Sequence, residues 1–90
     1  MITLEQIQQF QEICNLILSI PTKSGSMLGY AKAYAHTGLY LSESKYIYTQ
    51  LLYISANLST WRGKEARSTK KEIKQLLNQI WQNAQSRKEI

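Results

Sequence analysis

The sequence predicts an all-α fold: a compact bundle of three to four helices with short loops, one domain over residues 1–90. Three observations lead there. Apolar residues recur at a spacing near 3.6 in four separate segments. One proline, Pro21, and four glycines, Gly25, Gly29, Gly38 and Gly63, punctuate the chain. In KYIYTQLLYI, the stretch whose composition also suits a strand, no apolar–polar alternation persists.

The first segment opens at Thr3, which can cap the turn that follows, with Gln6 three residues on as in a capping box. Leu4, Ile7, Phe10, Cys14 and Ile17 then recur at helical spacing, and Gln8, Gln9, Gln11 and Glu12 take the wet side. Ile13, Leu16, Leu18 and Ile20 widen the apolar face late in the helix, so its end is expected to be deeply packed. Pro21 stops it.

PTKSGS forms a short turn. The second segment, about Met27 to Thr37, is rich in small residues. Gly29, Ala31, Ala33 and Ala35 allow close backbone approach, and Tyr30 and Tyr34 are i,i+4 neighbours. Gly38 fits the residue just past a helix end.

The third segment is expected to start at Ser42, with Leu41 placed to staple it, and to run to about Leu58. Ile47, Leu51, Ile54 and Leu58 form its apolar stripe, and Tyr46, Gln50, Tyr53 and Asn57 the stripe beside it. KYIYTQLLYI also suits a strand by composition. Length and the unbroken helical period decide for the helix.

The fourth segment is expected to begin near Ser59 or Thr60, both good caps, and to run to the mid-80s. Ala66, Ile73, Leu77, Ile80 and Ala84 mark its buried face. Gly63 either sits in the first turn, costing roughly 1 kcal/mol relative to Ala, or marks the true start. Trp61, Arg62 and Gly63 read as structural, with Trp61 anchoring the turn between the third and fourth helices.

The fourth segment also carries the chain's most concentrated charge. The whole chain has a formal charge of +5, a balance that favours acidic partners without selecting among nucleic acid, membrane and protein. With Ala66 as zero on a helical wheel, Lys70, Lys74, Arg67, Lys71 and Lys64 fall at roughly 40°, 80°, 100°, 140° and 160°. Glu65 and Glu72 fall on the opposite side near 240–260°, Trp81 near 60° and Arg62 at about 320°. At that angle Arg62 is expected to be partly covered and paired. A helix built only for solubility intersperses its signs. Here the pairs Arg67/Lys71 and Lys70/Lys74 set like charges at i,i+4, which is mildly destabilising. The stripe, with Trp81 as an aromatic neighbour, is a candidate surface for an anionic partner. A solvated face with a chance bias is the bland alternative.

Six tyrosines fall between positions 30 and 53: Tyr30, Tyr34, Tyr40, Tyr46, Tyr48 and Tyr53. A small core cannot easily bury so many hydroxyls. Tyrosine is enriched at interfaces, so Tyr30, Tyr34, Tyr46, Tyr48 and Tyr53 are candidate interface residues, homotypic or heterotypic. The edge of a bundle with its hydroxyls in water is the alternative.

Catalysis finds no support. His36 is the only histidine, and it sits at the end of a predicted helix, where a cation would complement the dipole. Cys14, the single cysteine, excludes an intramolecular disulfide and reads as a buried thiol. No two glutamates stand at i,i+3 or i,i+4, and PTKSGSMLG lacks the spacing of a phosphate loop. No cofactor or metal is implied. The N-terminus lacks the pattern of a signal peptide, and no apolar run is long enough to span a membrane. A cytoplasmic protein is expected.

The block QLLYISANLSTWRGKEARSTKKEIKQLL, with AKAYAHTGLYL ahead of it, resembles small uncharacterised proteins encoded by phages and prophages. Gln50-Leu51-Leu52-Tyr53, Asn57-Leu58, Trp61-Arg62-Gly63 and Ala66-Arg67 carry the resemblance, and the first helix lies outside it. It implies an accessory gene of a mobile element, whose product binds and redirects a host protein, and it brings no catalytic residues. The expectation is therefore a non-enzymatic interaction protein that self-associates. Its partner would be a host or phage protein with an acidic surface. The alternative is a binder of DNA or RNA that sets Lys64, Arg67, Lys70, Lys71 and Lys74 on phosphates.

Overall fold

In the computed structural model, residues 2–22 and 25–87 are described, with side chains as far as Asn83. Lys23 and Ser24 of the expected turn, and the side chain of Ala84 on the expected buried face, lie outside that description. Four helices follow one another: α1 (Leu4–Leu18), α2 (Met27–Gly38), α3 (Ser44–Ala56) and α4 (Lys64–Arg87). No strand occurs among the described residues. Each helix packs on its chain neighbour, and α4 closes back onto α1. The longest dimension, 41 Å, is near the ~36 Å that 24 helical residues span.

α1 begins as expected. The Thr3 hydroxyl accepts from the Gln6 amide at 3.1 Å, and the Gln6 side chain accepts from the Thr3 amide at 3.0 Å. Phe10, Ile13, Cys14 and Ile17 of α1 are buried, whereas Leu4 is exposed in the first turn. The core runs on through Ala31 and Ala35 of α2, Ile47, Leu51 and Ile54 of α3, then Leu58, and Ile73, Leu76 and Ile80 of α4.

Gly38 has a different reason from the one its position suggested. It is the last residue of α2, and Leu39 beyond it is right-handed at φ −58°. A Cβ on Gly38 would lie 2.8 Å from Phe10 Cζ and 3.2 Å from Cys14 Sγ. Glycine is there because α1 comes too close for anything larger.

Four boundaries depart from the sequence reading, the first being that of α1, which ends at Leu18 with Ser19 as its cap rather than running through Ile20 to Pro21. α3 starts at Ser44 rather than Ser42, with Glu43 at the cap position and no side-chain cap bond. It ends at Ala56, two residues before Leu58. The Asn57 amide donates to Ile54 O, Leu58 to Ser55 O and Trp61 to Leu58 O, all three-residue turns. Such bonds tighten a helix end into a turn, and this one still delivers Leu58 to the core. α4 starts at Lys64, not at Ser59 or Thr60. Gly63 precedes it at φ +111°, a conformation that other residues rarely adopt, and its carbonyl accepts from the Arg67 amide at 3.1 Å.

That boundary corrects Arg62 as well. It lies outside the helix, so the helical angle assigned to it does not apply, and it is exposed rather than covered. Trp61 is half-buried against the core, as expected.

Candidate partner-binding faces

Two contacts fix the rotation of α4. The Trp81 ring lies 6.0 Å from that of Tyr48 on α3, tilted by 35°. On the other side, Asn83 Nδ2 donates to Gln6 Oε1 of α1 at 3.4 Å. Trp81 and Asn83 differ by about 200° around the helix, so α3 and α1 cover opposite flanks of α4. The buried row is Ala66, Thr69, Ile73, Leu76 and Ile80. It is centred near 320° on the Ala66 wheel, rotated from the expected face toward α1. Leu77 is only half-buried in consequence, and Leu76, missed in the sequence, is fully buried.

The rotation gives the charge segregation a direction. Glu65 and Glu72 share Asn83's flank, toward α1. Arg67 and Lys74 share Trp81's flank, toward α3, while Lys64 and Lys71 face away from both neighbours. Lys64, Arg67, Lys71 and Lys74 are exposed, and no ion pair joins a described Lys or Arg to a described Glu. Lys70 differs. It is half-buried, and its Nζ donates to Trp61 O at 2.8 Å. It ties the α3–α4 turn to the helix, so its charge is partly spent on structure.

The tyrosines divide between two seams. Tyr34 of α2 stacks on Tyr53 of α3 at 5.2 Å and 27°, and Gln50 Nε2 donates to Tyr34 O at 2.7 Å. Tyr30 stands one turn from Tyr34, and Tyr46 two turns from Tyr53, all four exposed on the α2–α3 side. Lys45 Nζ lies 5.0 Å over the Tyr46 ring. Tyr48 does not belong with them. It sits on the far flank of α3's buried row, about 140° from Tyr53, half-buried against Trp81. Beside it, one turn along α3, Leu52 is 45% exposed, and Trp81 is 39% exposed. Leu52 was missed as a surface residue because QLLYI reads as an apolar run. The signal was present: Leu52 lies about 140° from Ile47 on a helical wheel.

The remaining candidates are ordinary. His36 is exposed in the last turn of α2, edge-on to Tyr40 at 6.1 Å. Burial pushes the Cys14 thiol from 9.0 up to about 12, so it stays protonated and unreactive. No group of three or more His, Cys, Asp or Glu among the described residues could hold a metal ion. No described helix is long and apolar enough to cross a membrane. No protein-family model, curated protein or solved structure matches the chain.

Proposed function

We propose that this chain is a non-enzymatic accessory protein of phage or mobile-element type that acts in the cytoplasm by binding a partner macromolecule. The observation that carries the proposal is the one-sided charge of α4. Four exposed cations gather toward and beyond the α3 flank, with both glutamates on the α1 flank and no ion pair among the described residues. The arrangement sets Arg67 and Lys71, both exposed, as like charges at i,i+4, a small cost to the helix. The phage resemblance of the Gln50–Arg67 block supports the setting. The exposed tyrosines at the α2–α3 seam offer a second contact surface suited to a protein partner or a second copy.

The test is retention of a partner by the immobilised chain. Wild type, Lys71→Glu/Lys74→Glu and Tyr34→Ser/Tyr53→Ser proteins are compared on one host lysate. A protein held by wild type and lost from either variant supports the proposal. Equal retention by all three refutes it.

The four exposed cations also favour a second reading, binding of DNA or RNA through phosphates. It predicts affinity that falls steeply with salt, with a smaller slope when Lys71 and Lys74 are replaced by Ala.

A further inference from the structure

Two features of the α3–α4 seam lie side by side, one charged and one apolar. Tyr48 and Trp81 meet across it at 6.0 Å. Leu52 follows one turn along α3, left 45% exposed. The two helices are consecutive and joined by a tight turn, so they run antiparallel. Lys74, two turns before Trp81 on the same flank of α4, is therefore carried toward Leu52. Lys71 stands one turn nearer the α3–α4 link on the outer side, and Arg67, two turns before Lys74, lies past the level at which α3 ends. The seam is an apolar strip with a cationic edge.

From this we infer that the α3–α4 seam receives an acidic polypeptide segment that also carries a large apolar side chain. The inference rests on the partner-binding reading above and names the chemistry of the partner. Cations along one edge select carboxylates by charge complementarity. Leu52 with the exposed edge of Trp81 offers the segment a place to bury one apolar side chain, an anchor of the kind that dominates interface energetics.

Nucleic acid fits less well. The cation row is short, about 15 Å from Lys64 to Lys74, and Lys70 within it is engaged with Trp61 O. Trp81 is only 39% exposed and has Tyr48 beside it, which reduces its use as a stacking platform for bases. An aliphatic Leu52 gives a phosphate or a base no polar contact.

The test uses the full chain and fluorescein-labelled probes followed by anisotropy. One probe is a peptide rich in Glu with Leu and Phe at helical spacing. The second keeps its charge and replaces Leu and Phe by Ser. The third is a single-stranded oligonucleotide. The apolar acidic peptide is expected to bind about tenfold or more tightly than its serine control, the order that one buried leucine-sized side chain supplies. Leu52→Ser is expected to erase that difference, and Lys74→Glu to weaken both peptides. Leu52 is half exposed and Lys74 exposed, and each variant is checked for its fold by circular dichroism.

Equal binding of the two peptides overturns the inference, as does tighter binding of the oligonucleotide. Self-association in light scattering that Leu52→Ser abolishes overturns it in favour of a second copy. Failure of both peptides, with a lysate protein still retained through Tyr34 and Tyr53, overturns the inference alone. The broader partner-binding proposal would then stand.

Discussion

Where α1 meets α2, the Gly38 backbone comes against the Phe10 ring and the Cys14 sulfur so closely that even a methyl group has no room. Phe10, Cys14, Ala31 and Ala35 are wholly buried there, and Lys32 Nζ seals the end of α1 by donating to Ile20 O at 2.6 Å. On the outer flank where α3 meets α4, Tyr48 and Trp81 stay partly open and Leu52 is half exposed. A ninety-residue domain has little stability to spare. It closes both seams at the core, and on the outer flank of the second it leaves apolar surface open. The first seam has no room for a methyl group at Gly38, whereas the flank of the second keeps large apolar side chains at the surface.

That contrast can be broken most directly at Phe10. Phe10→Ala is expected to cost about 3–5 kcal/mol by emptying a closed seam, read as a fall in the denaturant midpoint. A loss under about 1 kcal/mol would mean that the α1–α2 seam is looser than its geometry.

Gly38→Ala comes next, at about 1 kcal/mol of net destabilisation. Overpacking costs roughly 1–3 kcal/mol, offset by the roughly 1 kcal/mol by which Ala exceeds Gly inside a helix. Combining it with Phe10→Leu, which shortens the clashing ring, should recover part of the loss. Simple additivity of the two losses would show that the contact is not the reason for the glycine.

Cys14 gives the same seam a pH signature. Its thiol is raised in the folded state, so the stabilisation from keeping it neutral is fully present below the ordinary value of 9.0 and is lost as the pH rises toward about 12. The stability gap between wild type and Cys14→Ala should therefore be constant up to pH 9.0 and drift against wild type above it. A gap that does not move above pH 9.0 would refute burial as the cause.

The smallest effect has the opposite sign. Lys71→Glu replaces a like-charge neighbour of Arg67 by an opposite one and should stabilise the fold by about 0.2–0.5 kcal/mol while weakening partner binding. A residue whose loss helps folding and harms binding is expected where a surface serves function. A Lys71→Glu protein less stable than wild type would argue instead that the basic stripe supports the fold.

Much of the fold was legible in the sequence because helices announce themselves by period and caps. Thr3 with Gln6, and the stripe Ile47, Leu51, Ile54 and Leu58, stand where the spacing put them. What the spacing could not give was rotation. The buried face of α4 depends on where α1 and α3 press on it, and only the Trp81–Tyr48 and Asn83–Gln6 contacts supply that. This is why Leu76 was missed, whereas the separation of Tyr48 from Tyr53 on α3 was already implied by helical spacing. Gly38 was misread because a glycine for packing and a glycine for a turn look the same in one dimension. The candidate surface was half legible. Its charges showed on the wheel, but their apolar neighbour Leu52 lay in another helix.

The central claim is that the α3–α4 seam, and not the α2–α3 tyrosine face, meets an acidic partner. Amide and side-chain NMR shifts of the full chain, recorded during titration with the acidic peptide bearing Leu and Phe, test it most directly. Shifts gathered on Tyr48, Leu52, Lys74 and Trp81, with α1 silent, are the predicted result. Shifts centred on Tyr30, Tyr34 and Tyr53, or spread evenly over the molecule, would contradict it.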